Sequence, residues 1–200
     1  MRIISGLYKG RELAPVRGRE IRPTGGKVRE AIFSILSRDI PHARVLDLFA
    51  GTGAFGLEAL SRGAARAVFI ESDDRAIAAI KKNIRLCRAE KRAQCIKWDV
   101  TRDLNCIRTL RHGFDLVFMD PPYQGDFIST ALKNLAHSNG LEDGAVIVVE
   151  HSAKTALPEI NPPFYVGDRR KYGKTLVTFL NFMIEGPASE AGSVPYENQI

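Results

Sequence analysis

Long apolar runs are what this sequence most clearly lacks. No stretch of about 18 apolar residues is present to cross a bilayer, and roughly the first 30 positions carry no apolar centre of the kind a secretory signal needs. A cytoplasmic protein with no membrane partner is expected. Cysteine is scarce too: Cys87, Cys95 and Cys106 are odd in number and show no C-x-x-C spacing, which argues against a disulfide framework or a zinc site. They are expected to be reduced thiols packed in helices or strands. His42, His112, His137 and His151 are scattered without paired-ligand spacing, so no metal is expected. No internal repeat is apparent.

What is present is alternation. Arg2–Ser5 and Arg11–Val16 read as a small hairpin around Gly6 and Gly10, followed by a basic loop, Arg17-Gly18-Arg19. A helix from about Lys27 to Leu36 carries Val28, Ala31, Ile32, Ile35 and Leu36 on one face. Strands are then expected near 44–49, 67–71, 93–98, 114–119 and 145–150, with helices near 54–62, 74–88 and 127–138 and a shorter one near 102–111. Such alternation predicts an α/β fold, a mainly parallel sheet with helices on both faces and a ligand site beyond the carboxyl ends of the strands. Thr175–Met183 supplies a last strand. Gly, Pro, Ser, Ala and Glu dominate 185–200, which reads as a mobile tail. The expected organisation is a basic N-terminal hairpin and helix over 1–43, a ligand-binding domain over 44–184, and that tail.

Two motifs fall where such a fold puts chemistry. The strand Val45-Leu46-Asp47-Leu48-Phe49 runs into Ala50-Gly51-Thr52-Gly53-Ala54-Phe55-Gly56, a strand, glycine-rich turn and helix in which the backbone can approach a nucleotide-like ligand closely. Glu71 ends the next strand, 20 residues after Gly51, the spacing of a carboxylate that grips a ribose diol. The second motif, Asp120-Pro121-Pro122-Tyr123, follows the apolar run Leu116-Val117-Phe118-Met119. Its prolines stiffen the chain into a ledge presenting a carboxylate, bare carbonyls and a ring. Such a ledge suits a planar exocyclic amine: Asp120 and the Pro121 carbonyl accept its N–H bonds while Tyr123 stacks on the ring that carries it.

The net charge of +6 is unevenly placed. Residues 1–44 hold ten basic side chains against four acidic ones, and the other 156 residues hold nineteen of each. An excess confined to the segment before a nucleotide-like fold points to RNA contact, with Arg17, Arg19, Arg22 and Lys27 as candidates. The later cluster Lys81, Lys82, Arg85, Arg88, Lys91 and Arg92 is partly balanced by Asp73, Asp74 and Glu90 and reads as a solvated helix face.

Taken in order, Asp47-Leu48-Phe49-Ala50-Gly51-Thr52-Gly53, Glu71, Asp99 and Asp120-Pro121-Pro122-Tyr123 resemble the class I methyltransferases that use S-adenosylmethionine to methylate exocyclic amines. With Arg2-Ile3-Ile4-Ser5-Gly6, Lys9-Gly10-Arg11, Arg22-Pro23-Thr24, Val28-Arg29-Glu30-Ala31-Ile32-Phe33 and Lys171-Tyr172-Gly173-Lys174-Thr175, the resemblance narrows to the RsmD family of bacterial 16S ribosomal RNA guanine-N2 methyltransferases. It runs from about residue 2 to about 182. One departure is Gly25-Gly26-Lys27, where the family carries a Ser or Thr and an Asp before the basic residue.

This resemblance implies a Rossmann-like fold with a seven-stranded sheet whose last strand is antiparallel. It implies S-adenosylmethionine as cofactor and S-adenosylhomocysteine as product, with Asp47, Phe49, Gly51, Gly53, Glu71, Ser72, Asp99, Val100 and Asp120 around the ligand. Arg22, Thr24 and Arg29 look like RNA-side or gating residues. The implied substrate is guanosine 966 of 16S rRNA in an assembling small subunit, and the implied enzyme is a monomer. The reaction would be an in-line attack of the guanine N2 on the methyl group, with alignment and charge stabilisation left to the protein. A DNA amino-methyltransferase acting on adenine N6 or cytosine N4 would use the same ledge, but it normally needs an added target-recognition region. A dinucleotide oxidoreductase would leave the ledge unused, and a noncatalytic RNA-binding protein would leave the strand-end acids unused.

Overall fold

The computed structural model describes residues 1–16, 18, 25–110, 112–122, 126–154 and 157–184. Arg17, Arg19, Arg22, Thr24, Tyr123 and the 185–200 segment lie outside the described residues. In chain order the elements are α1 (Gly26–Ile35), a 3-10 turn (Leu36–Arg38), β1 (Arg44–Leu48), α2 (Ala54–Ser61), β2 (Arg66–Glu71), α3 (Asp74–Cys87) and β3 (Ala93–Lys97). There follow α4 (Asn105–Arg108), β4 (Phe114–Met119), α5 (Phe127–His137), β5 (Leu141–Ser152), β6 (Phe164–Tyr172) and β7 (Thr175–Phe182).

The seven strands form one sheet in the order β3-β2-β1-β4-β5-β7-β6. The first five are parallel, and β7 is antiparallel to both β5 and β6. This is the Rossmann-like class I methyltransferase architecture. Alternate strand residues feed two cores, as a strand's period of two requires. Val45, Phe69 and Phe118 join Ile32, Leu57 and Ile80 on one face, and Leu46, Val68, Val117 and Ile147 join Leu132 and Leu135 of α5 on the other. The chain order reverses between β1 and β4, so β1 exits toward α2 while β4 exits toward α5. Between those two exits lies the crevice.

Three expectations are corrected. β6 is not foreseen as a strand, because Gly167-Asp168-Arg169-Arg170-Lys171 has no apolar alternation: it is the sheet edge, paired only with β7 and bulged between Val166 and Asp168. β5 begins earlier than position 145, because Glu142, Asp143 and Gly144 disguise a register shift against β4 between Phe114 and Leu116. The N-terminal hairpin shrinks to one bridge, Arg2 to Glu12, flanked by Ile3 N–H on Arg11 O and Gly10 N–H on Ile3 O, both 2.9 Å.

Four other N-terminal amides turn inward instead. Ile4 and Ser5 N–H donate to Glu58 at 2.7 and 3.0 Å, Leu7 N–H to Ser61 O and Tyr8 N–H to Ser61 Oγ, both at 2.8 Å. Ile3, Tyr8 and Leu13 are buried in the same cluster as Val45 and Leu57. The N-terminal segment is therefore part of the core. Among the described residues no helix is long and apolar enough to cross a membrane.

Candidate active site

The exit of β1 is a tight left-handed turn. Phe49, Gly51 and Gly53 have φ of 56, 55 and 76°, a region in which an L side chain costs about 1–2 kcal/mol. At Gly51 an added Cβ would meet only Phe49 O, 3.9 Å away, so that side of the turn is open. Phe49 tolerates the same conformation with a half-buried ring set edge-on to Phe127, centroids 6.1 Å apart.

Asp47 points from β1 to the face that carries α2, and its Oδ2 accepts the Gly56 N–H at 2.9 Å. Helix α2 has no side-chain cap at Gly53, so Asp47 takes over one of the amides left unpaired in its first turn. Burial, with the negative charges of Asp120 and Glu71 adding to it and the Gly56 N–H opposing, holds the Asp47 carboxyl well above the usual carboxylate range. Three acids thus converge where β1, β2 and β4 end.

Glu71 organises the turn from the neighbouring strand. Its Oε2 accepts the Gly51 N–H at 2.9 Å, and its Oε1 accepts those of Ser72 and Asp73 at 2.8 and 3.0 Å. Beyond β2 and β3 lies a cavity of ≈ 410 Å³ lined by Ser72, Trp98, Asp99, Arg102 and Asp103. Asp99 is exposed there, and its Oδ1 accepts from Thr101 Oγ1 at 2.7 Å and Thr101 N–H at 2.9 Å. Those bonds, the hydroxyl's first, draw its carboxyl below the usual range. Asp99 closes a local turn ahead of α4 without capping that helix, while Val100 is buried beside it.

Asp120 is half-buried, Pro121 buried and Pro122 exposed, directly after the buried end of β4. The fold therefore brings together Asp47, Phe49, Gly51, Gly53, Glu71 and Asp120, with Ser72, Asp99 and Val100 alongside. S-adenosylmethionine carries an ammonium and a sulfonium, and the residues present fit it: acids gathered at three adjacent strand ends, an open glycine turn and a cavity past β2 and β3.

Among the RNA-side candidates, Lys27 is exposed on a cleft of ≈ 750 Å³ that Met1, Arg2, Lys9 and Glu30 also line. Met1 Sδ is 3.8 Å from Thr52 Oγ1, so this cleft adjoins the glycine turn. Arg29 is a correction. It is 2 % exposed, donates from Nη2 to Arg2 O at 2.6 Å and lies 4.0 Å from Glu58, so it braces the core and reaches that cleft with only a sliver of its surface. Sequence reasoning also missed Asn83 on α3, whose Nδ2 donates to Thr52 O at 2.9 Å and Ala14 O at 3.1 Å while its Oδ1 accepts the Ala14 N–H at 2.7 Å. Its one signal was a polar residue among Ile80, Ile84 and Cys87 on the apolar face of a helix. A further cavity of ≈ 650 Å³ opens at the amino ends of β1 to β4, remote from these acids, where Arg44 is paired with Asp115 and Glu142.

Comparison with known proteins agrees with this geometry. YlbH of Bacillus subtilis is 38 % identical over 175 residues, 88 % of this chain and 95 % of that protein. The ribosomal RNA small subunit methyltransferase D of Haemophilus influenzae is 36 % identical over 75 % of this chain and 78 % of its own length. The Escherichia coli protein of the same name is 34 % identical over 80 % of this chain and 79 % of its own length. Among solved structures, yhhF of Escherichia coli superposes with a TM-score of 0.80 at 30 % identity, covering 92 % of this chain and 99 % of that one. The family model described as conserved hypothetical protein 95 matches residues 1–181, and the chain belongs to that family, the RsmD family of ribosomal RNA methyltransferases.

Proposed function

We propose that this chain methylates the exocyclic N2 amine of a guanine in small-subunit ribosomal RNA, using S-adenosylmethionine. The convergence of Asp47, Glu71 and Asp120 at three adjacent strand ends carries the assignment, and relatives named for ribosomal RNA small subunit methylation support its substrate class. When bound, S-adenosylmethionine supplies a methyl group already activated on sulfonium. The protein's residues then hold, align and stabilise.

Glu71 accepts from the ribose diol. Three of its roughly four lone-pair sites already take backbone N–H bonds, so one hydroxyl rather than both is its share. The open side of Gly51 passes the methionine portion, and Asp99 with Val100 borders the adenine. Asp120 and the Pro121 carbonyl accept the N–H bonds of the guanine amine, Tyr123 stacks on the base, and Asp120 stabilises the positive charge that grows on nitrogen. A base must leave its stack to reach the ledge, which an unpaired guanine does at least cost.

The deciding experiment is transfer of a tritiated methyl group to naked 16S rRNA, to small-subunit particles and to DNA, followed by nucleoside analysis. N2-methylguanosine is expected. Methylated adenine or cytosine in DNA would replace this reading with the DNA alternative, and no transfer with retained RNA affinity would leave a binding protein. Asp120→Ala should keep S-adenosylhomocysteine affinity and slow single-turnover methylation by at least ~10²-fold.

A further inference from the structure

The edge of the sheet carries a second basic surface. β6 and the turn after it present Arg169, Arg170, Lys171 and Lys174, all exposed, against the single acid Asp168. That acid is engaged: it accepts from Arg170 Nε at 2.8 Å and from the Arg169 N–H at 2.7 Å. Arg169, Lys171 and Lys174 form no ion pair among the described residues. Lys154 joins them, exposed on the turn leaving β5, and the neighbouring Ala153 N–H donates to Lys174 O at 2.9 Å, pinning that turn to the hairpin tip.

The strand registers place this surface. Met119 pairs with Val149, so Asp120 stands level with Glu150, whereas the hairpin closes at Thr175 opposite Ser152. At ~3.3 Å per residue the tip rises about 7 Å above the ledge, and three strand spacings of ~4.8 Å put β6 about 14 Å to its side. The N-terminal cleft with Arg2, Lys9 and Lys27 adjoins Thr52 after β1, on the other side of β4 in the sheet order. The ledge thus lies between two basic walls.

Charges on an edge strand commonly guard it against pairing with another chain. Here they are not spread along the edge. Phe164, Tyr165 and Val166 carry none, the bulge blunts that half, and every basic residue is gathered at the end nearest the ledge. We propose that the β6–β7 hairpin, with Lys154, is a phosphate-binding arm that holds the RNA backbone on the side of the ledge away from the N-terminal segment. The proposal rests on the RNA reading above and adds a surface to it.

The test is salt-dependent binding of a 16S rRNA fragment by the full chain carrying Lys154→Gln, Lys171→Gln and Lys174→Gln together. These substitutions keep the edge polar. RNA affinity should fall several-fold at low salt, and the slope of log K against log salt should become shallower by up to ~2, at ~0.7 for each single-strand phosphate no longer neutralised. S-adenosylhomocysteine affinity and the melting temperature should be those of wild type. Lys81→Gln with Lys82→Gln, on exposed positions of α3 beside β2 and β3, serves as the control and should leave the slope unchanged. A wild-type slope in the hairpin variant, or an equal loss per charge in the control, would overturn the proposal. Binding is read without catalysis, so failed methyl transfer would sink the functional assignment and leave this test standing.

Discussion

Asp47 serves the fold from inside a strand, and its environment makes that service depend on pH. Its folded-state pKa is raised, chiefly by burial, above the unfolded value of about 4, so the folded protein holds the proton more tightly. The stabilisation this brings is fully present below the unfolded value and is lost as pH rises through the folded one. Asp47→Asn cannot ionise and keeps an acceptor for the Gly56 N–H. Wild type should therefore lose stability relative to Asp47→Asn as pH rises above about 4, read by urea unfolding at stepped pH; parallel curves would mean that Asp47 does not titrate over that range. Glu71 is a second residue with two duties. Because it also takes three backbone N–H bonds, Glu71→Ala should weaken S-adenosylhomocysteine binding by ~1.5–3 kcal/mol and lower the melting temperature as well. Calorimetry and thermal melts on the same sample separate the two losses, and unchanged affinity would remove Glu71 from the site.

At the scale of elements, identical substitutions at two helix-forming glycines should have opposite signs. Helix α1 starts at Gly26 behind an N-cap, Gly25, with no side-chain hydrogen bond, and a Cβ on either glycine meets nothing within 4 Å. Gly26→Ala should stabilise by ~0.5 kcal/mol, and Gly25→Ser should add a few tenths, roughly. In α2 a Cβ on Gly56 would sit 2.4 Å from Phe69 Cε1, so Gly56→Ala should cost ~1–3 kcal/mol through displacement of that buried ring. Denaturant midpoints of the variants check both signs. If Gly56→Ala matched wild type, Phe69 would have to be free to move, contrary to its place in the core.

Across the whole molecule the N-terminal segment is held by side chains of α2 and α3, 53 to 69 residues further along the chain. Glu58, fully buried, accepts from Ile4, Ser5 and, at 2.8 Å, Arg62 Nε, and Asn83 clasps Ala14 to the glycine turn. Removing residues 1–13 would leave Glu58 its contacts with Arg62 and Arg29 but take away two backbone donors, remove the Leu7 and Tyr8 donors from Ser61, and open the apolar cluster that Ile3, Tyr8 and Leu13 help to close. The truncated chain should lose more than ~3 kcal/mol of stability, at ~1.5–3 kcal/mol for each of the buried Ile3 and Leu13 side chains removed. Urea unfolding measures it, and a midpoint near wild type would show the segment to be a detachable arm.

The strand-end acids were legible in the sequence because each is announced locally. Val45 to Leu48, Ala67 to Ile70 and Leu116 to Met119 are apolar runs, and Asp47 within the first, with Glu71 and Asp120 after the others, breaks the pattern at the point where a parallel sheet opens. Gly51 and Gly53 announced the turn by residue type, and the order of elements followed from alternation. Arg29 could not be read in this way. It shares the basic N-terminal segment with Lys27, and only the arrival of Arg2 O and Glu58 shows that one is a brace and the other exposed. Asn83 and Glu58 acquire their meaning from Ala14 and Ile4, 69 and 54 residues away. β6 becomes a strand only because β7 offers it an edge. Periodicity and turn chemistry are written in neighbouring residues and so determined which segments form the parallel part of the sheet and where its acids emerge. The partner of a buried charge or an edge strand depends on which distant elements pack together, and the tertiary structure alone decided that.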